Sequence, residues 1–340
     1  MPRLIHYFIK PTHINFIGAR KPAFFVSILL CLISIVSVAT KGMNYGIDFK
    51  GGVLMEVQAE QKIDMKDMRD RLSGLGVDLQ PVGENGTEVL ITALGRGDNE
   101  QEQMKITKVI RAELGDEYTF RRVEMVGPRV GAELIRNCVL AVILAGVMIT
   151  VYVWTRFEWE FALGTMLSLI HDIIIAVGLF SVFQLDFDMT IIAGLMTLAG
   201  FSVNDTIVSY DRMRENLHKY RKMPIDEMIN KTTNEMLPRT LLTGMSTIIM
   251  LTVMLFLGGS VLQGFALIML WGIIVGTYSS IYVAMPVLLY MDIRKTMENK
   301  NKNVNPFETA ECPPLEYRKK RPRGALFSYP DKIALNRKAR

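Results

Sequence analysis

Cysteine and interior charge are what this sequence has least of. Its three cysteines, Cys31, Cys138 and Cys312, cannot build a disulfide framework, and none lies between Lys41 and Glu133, so a domain there must stand on its own core. A phosphate-binding loop ending in Gly-Lys-Ser/Thr and a zinc-binding His-Glu-x-x-His are both absent, so neither ATP nor zinc is implied and no cofactor is expected. A folded basic surface with interleaved aromatics is missing as well, which argues against nucleic acid as a partner. Lys and Arg are absent from the interior of every long apolar run.

Those runs dominate what is present. Half of the 340 residues are hydrophobic and 21% are charged, and the mean hydropathy of +0.23 is that of a membrane protein. Six stretches match a hydrocarbon core of roughly 30 Å: Pro22 to Thr40, Cys138 to Trp154, Phe161 to Phe183, Met189 to Tyr210, Leu241 to Leu257 and Phe265 to Tyr290. The first, with Ser37 and Ala39, also fits a signal peptide; its near-spanning length and the spans that follow favour a retained helix. The 22 methionines read as soft packing inside the spans.

Basic residues sort by loop. Arg3, Lys10, Arg20 and Lys21 precede the first span, seven Lys or Arg lie between Asp211 and Thr240, and thirteen follow Tyr290, while 184–188 and 258–264 have none. The positive-inside rule then places both termini and the 211–240 loop in the cytoplasm and the segment from Lys41 to Glu133 outside. The expected organisation is a cytoplasmic N-terminus (1–21), a first transmembrane helix (22–40), a periplasmic domain with its connection (41–137), five further transmembrane helices (138–290) and a basic cytoplasmic tail (291–340). In that tail Arg318, Lys319, Lys320, Arg321 and Arg323 suit a solvated segment near anionic membrane lipids.

Within the outer segment, Val53 to Val57 alternates as a strand and Met65 to Leu72 has a helical pattern ended by Gly74 and Gly76. Strands follow at Val77 to Val82 and Glu88 to Ala93 around the turn Glu84-Asn85-Gly86, then a helix over Gln101 to Leu114 and a strand over Tyr118 to Val126. The fold class is therefore an α-helical polytopic membrane protein: six transmembrane helices with one extracytoplasmic α+β ferredoxin-like domain of order βαββαβ. An amphipathic helix is expected across Asp226 to Glu235.

A charge near a bilayer midplane costs at least about 3 kcal/mol and asks for a partner or a purpose. His171 and Asp172 lie in the third span, Asn204 and Asp205 in the fourth, and Arg239 opens the fifth just after Pro238, a proline suited to a first helical turn. Asp205 and Arg239 approach from the same side, so an ion pair is expected between them. Burial favours a neutral carboxyl group and a nearby guanidinium favours the anion, so a helix shift separating the two would admit a proton. Location weighs for that functional reading over a static pair that fixes helix register. His171 and Asp172 fit either a coupling role or a plain hydrogen bond across a helix interface. Gly272 and Gly276, with Gly194 and Gly200, imply close helix packing.

Four motifs resemble those of the bacterial SecF family: Gly46-Ile47-Asp48-Phe49-Lys50-Gly51-Gly52, Gly200-Phe201-Ser202-Val203-Asn204-Asp205-Thr206, Pro238-Arg239-Thr240-Leu241-Leu242-Thr243, and the stretch from Gly264 to Ser280. The resemblance runs from Asn15 to Tyr290. It implies a subunit paired with SecD beside the SecYEG channel, related to resistance-nodulation-division transporters, using the proton gradient to pull unfolded preproteins outward, with YajC as a further partner. It also implies that the family's fourth-span aspartate falls on Asp205 and its fifth-span arginine on Arg239. Asn204 and Asp172 join them as expected proton-coupling residues, whereas Gly46, Asp48, Gly51 and Gly52 form a structural turn that Asp48 braces.

Three other functions fit part of this pattern. A small-molecule efflux subunit of the same superfamily would need a partner half. An intramembrane aspartyl protease built on Asp172 and Asp205 lacks the Gly-x-Gly-Asp signature, and Arg239 would oppose the protonation it needs. The third is a passive assembly scaffold of the export channel.

Overall fold

The structure, a computed structural model, describes residues 12–82, 86–94, 100–291 and 293–294. Arg3, Lys10, most of the Glu84 to Gly86 turn and the basic tail lie outside the described residues.

Helix α1 (Arg20–Lys41) leads through β1 (Asn44–Tyr45) and the one-turn α2 (Ile47–Lys50) into a small domain. That domain comprises β2 (Gly52–Ala59), α3 (Met65–Leu72), β3 (Asp78–Val82), β4 (Glu88–Leu94), α4 (Glu100–Leu114) and β5 (Tyr118–Val126). Its four strands pair antiparallel in the order β3-β4-β2-β5, so the first strand lies beside the last and the βαββαβ order closes into a ferredoxin-like sheet. Period-two alternation turns Val53, Met55 and Val57 inward, where Val89, Ile91 and Leu79 meet Met68 and Leu72 of α3 and Ile110 and Leu114 of α4. Asp64 starts α3 by accepting the backbone N–H of Lys66 at 2.8 Å.

The membrane part follows: α5 (Pro128–Arg156), α6 (Trp159–Phe183), β6 (Asp186–Phe187), α7 (Met189–Lys219), α8 (Ile225–Leu257) and α9 (Gly259–Ser279). The last helix continues through a π turn (Ser280–Ala284) and the short α10 (Met285–Val287). Six helices among the described residues are long and apolar enough to cross a membrane, and α6, α7 and α9 form the buried centre. Large apolar side chains such as Ile28, Leu32, Ile143, Val147, Ile249 and Phe256 remain exposed on α1, α5 and α8, as a chain surrounded by hydrocarbon requires. Small residues set the spacing at the centre: a Cβ on Gly272 would lie 2.4 Å from Leu198, and one on Gly194 would lie 2.4 Å from Ile268. At Gly200, by contrast, nothing lies within 4 Å.

The helices outrun their apolar stretches. α7 continues to Lys219 and α8 begins at Ile225, so the amphipathic segment 226–235 is one helix with the fifth span, and Pro238 sits inside α8 instead of in its first turn. The extensions hold each other through polar contacts that hydropathy does not register: Asn216 Nδ2 donates to Thr232 and to Glu235, both at 3.0 Å, and Arg212 pairs with Glu235 at 2.7 Å. Proline also lacks the N–H that would bond the carbonyl of Asn234. The Thr12 hydroxyl points at that carbonyl from 3.5 Å, and the Asn234 side chain clamps the backbone N–H and C=O of Ile14 at 2.9 and 2.8 Å.

Candidate functional site

Asp172 and Asp205 are carboxylates within the bundle, and each is held by hydroxyl groups. Asp172 of α6 is fully buried; its Oδ2 accepts from Ser202 of α7 at 2.5 Å and from Ser279 of α9 at 2.8 Å, and its Oδ1 lies 2.9 Å from Nδ1 of His171. Asp205 of α7 is half-buried. Its Oδ1 accepts from Thr240 of α8 and its Oδ2 from Ser280, each at 2.7 Å. Ser279 and Ser280 are consecutive, so one point on the last helix holds both acids.

That point is where the helix widens. Met285 N–H bonds back to the Ser280 carbonyl, five residues away, which defines the π turn. Pro286 follows directly and cannot continue the ordinary ladder. The Ala284 carbonyl accepts from the buried Tyr210 hydroxyl at 3.0 Å. Gly164 makes room for that hydroxyl, since a Cβ there would sit 2.3 Å from it.

The expected ion pair between Asp205 and Arg239 is not formed. Arg239 is exposed and lines a cavity of about 510 Å³ with Arg156, Asp211, Arg212 and Glu235. The reason is azimuth: neighbouring helical residues point about 100° apart, so turning Thr240 onto Asp205 carries Arg239 away from it. Asn204 is likewise exposed. Thus Asp205 and Asp172 are brought to the same serine pair, while Arg239 and Asn204 are directed elsewhere. The hydroxyls of Ser202, Thr240, Ser279 and Ser280 were not among the expected site residues, although all lie within the four motifs. Their signal was a hydroxyl in an otherwise apolar run, where serine and threonine are common enough that none stands out alone.

The glycine motif forms a second joint. Gly51 and Gly52 take φ of 74° and 147°, which a side chain resists, and they turn the chain from α2 into β2. Asp48 does not brace this turn as expected. Its Oδ2 accepts the N–H of Met189 at 2.9 Å, capping the first turn of α7, because unsatisfied N–H groups and the helix dipole draw an anion there. Asp188 caps the same helix through Ile191 N–H at 3.0 Å. Burial pushes the Asp188 carboxyl above the usual carboxylate range; the Ile191 N–H opposes this and the charge of Asp48 adds to it. β1 pairs with β6 in parallel, Asn44 opposite Asp186 and Tyr45 opposite Phe187, so the strap from α1 and the α6–α7 turn share this joint.

Comparison with known proteins places the chain in a family. The family described as "Protein export membrane protein SecD/SecF, C-terminal" matches residues 106–294, and the "SecD/SecF GG Motif" matches residues 36–63. A protein translocase subunit SecF from Magnetococcus marinus is 44% identical over 292 residues, covering 84% of this chain and 94% of the relative. Its counterpart from Cereibacter sphaeroides is 40% identical over 295 residues, covering 84% and 91%. The crystal structure of SecDF from Thermus thermophilus, described as a translocon-associated membrane protein, superposes with a TM-score of 0.72 at 35% identity. It covers 82% of this chain, which spans only 38% of that longer one. On these matches the chain belongs to the SecD/SecF family of protein-export membrane proteins, among its SecF translocase subunits.

Proposed function

We propose that this chain pairs with SecD and uses the proton gradient to promote protein export through the SecYEG channel. The observation that carries this reading is the placement of two acids, Asp172 and Asp205, inside the bundle on adjacent serines of one helix. Ionisable groups in a spanning segment mark ion pathways more often than static packing. The proposed coupling residues are Asp205 and Asp172 with Arg239 and Asn204. The role is that of a transport subunit, not of an enzyme.

The coupling step follows from the two residues that compete for Asp205. Thr240 holds it with a neutral donor, and Arg239 sits one residue before, next to Pro238, where a helix bends most readily. A twist of α8 there would exchange hydroxyl for guanidinium. A guanidinium beside a carboxylate holds the anion, and its withdrawal lets a proton land. Proton occupancy and the angle between α7 and α8 are then linked. The sheet domain, capped onto α7 by Asp48, would feel movement of that helix and transmit it to a preprotein in transit.

Membership of the SecF subunits supports SecD and SecYEG as partners, as does the match of this chain to 38% of a longer chain named SecDF. YajC and membrane lipids complete the proposed surroundings. Kinship with bacterial SecF subunits supports an inner membrane location, and the distribution of Lys and Arg supports an orientation with both termini cytoplasmic. Asp205→Asn should abolish gradient-dependent stimulation of export while the complex still assembles. Full export by that variant under an imposed gradient would refute coupling and leave a scaffold. Depletion should accumulate unprocessed precursors; altered sensitivity to small toxic compounds with normal processing would instead indicate efflux.

A further inference from the structure

Next to the acid pair, one buried nitrogen has no partner. His171 is 7% exposed, and its Nε2 makes no hydrogen bond among the described residues. The other ring nitrogen, Nδ1, is engaged with Asp172. Two hydroxyl donors converge on Oδ2 of that carboxylate, the arrangement expected for an anion. An anionic Asp172 makes Nδ1 the protonated nitrogen and leaves Nε2 as a bare lone pair. The opposite assignment would bury an N–H donor with no acceptor, the rarer and costlier defect.

The surroundings give this lone pair a task. The groups facing the pair are the Cys31 thiol of α1, within electrostatic reach of Asp172, Ser168 of α6 through Ser279, and Ser202 of α7, with Asp205 one turn further along that helix. From α9 come Ser279 and the Tyr278 ring, stacked on His171 at 6.3 Å and 27°, its hydroxyl donating to the Ala23 carbonyl at 2.6 Å. None of these is a cation, so among the described residues the fully buried carboxylate stands without a counter-charge, which burial disfavours.

We propose that Nε2 of His171 is a proton-binding site, whose loading converts the buried His171–Asp172 pair from net negative to neutral overall. The incoming proton leaves hydronium as water and forms an N–H bond with the Nε2 lone pair; the Nδ1–H stays on its nitrogen, and no bond within the protein breaks. The resulting imidazolium stays stacked beside the Tyr278 ring. The hydroxyls on Asp172 come from α7 and α9, so the charge of this site is sensed where three central helices meet. Ser279 is followed by Ser280, which holds Asp205. The link to export rests on the proton-coupling reading above, whereas occupancy of the site does not.

The test is magnetic resonance of the imidazole nitrogens in the full-length, histidine-labelled chain in lipid bilayers, over a pH series. The sequence has four histidines, so His171→Gln identifies the signal. At high pH the expected spectrum has a protonated Nδ1 and a bare Nε2; on acidification both become protonated. Asp172→Asn removes the counter-charge and should leave the ring singly protonated where the unsubstituted chain carries two protons. An Nε2–H tautomer at high pH, or a ring still singly protonated after the other histidines have titrated, overturns the proposal from the unsubstituted protein alone. Should His171 load while Asp205→Asn exports normally, the site stands and coupling falls. If His171 never loads and Asp205→Asn is inactive, coupling stands and the site falls.

Discussion

Alanine at Gly131 asks whether the sheet domain is locked to the membrane bundle by direct backbone contact. Its Cβ would lie 2.4 Å from the Phe49 carbonyl oxygen, 2.9 Å from the Phe49 carbonyl carbon and 3.1 Å from the Asp48 oxygen. Ordinary contact begins near 3.4 Å, so the closest pair must separate by 3.4 minus 2.4, or about 1 Å. All three atoms are backbone, and no rotamer change relieves them. Overpacking of this kind costs about 1–3 kcal/mol. The same displacement moves Asp48 off the Met189 N–H, a 2.9 Å bond to a charged group, worth about 1.5–3 kcal/mol. One movement causes both losses, so they do not simply add, and about 2–4 kcal/mol is expected in total. Gly127→Ala is the control, because nothing lies within 4 Å of that glycine and its φ of −74° suits alanine. Thermal unfolding of the purified full-length chain, with hydrogen exchange at the Met189 amide, reads both effects. Equal melting of the two variants with Met189 still protected would refute the locked joint.

A parallel contrast lies within the bundle: Gly272→Ala should lower the melting temperature because its Cβ meets Leu198 at 2.4 Å, whereas Gly200→Ala, with open space, should match or exceed the parent. Equal loss in both would mean that α7 and α9 do not pack at Gly272. Asp188 predicts a pH effect. Its folded-state affinity for a proton is raised by burial, so the folded chain binds more protons than the unfolded one between the ordinary value of 3.8 and the raised one. Its contribution therefore grows as pH falls through the raised value and levels off below 3.8. Asp188→Asn should flatten that part of the melting-temperature profile, and an unchanged slope would assign it to another group. Asp205→Asn, read by gradient-driven export, remains the direct test of coupling.

The spans and the βαββαβ order were legible because each depends on nearby residues: an apolar run of the right length, an alternation of period two, a glycine or proline at a break. Helix ends were less so. The extensions of α7 and α8 are polar on one face, and their stability comes from Asn216, Thr232, Arg212 and Glu235 meeting across the pair. The acids of the site could be picked from the sequence because charge in hydrocarbon is conspicuous. Their partners could not, since serine and threonine inside a helix are unremarkable until a carboxylate lies opposite.

By itself the sequence determined that this chain crosses a membrane six times, carries one small sheet domain and keeps Asp172 and Asp205 among apolar residues, all consequences of local pattern. Tertiary structure alone decided which neighbours those acids receive. Residues 239 and 240 differ by about 100° in azimuth on one helix, and only packing against α7 selects Thr240 over Arg239 for Asp205. Asp48 likewise meets an N–H group 141 positions away, a distance across which no periodicity in the chain carries information.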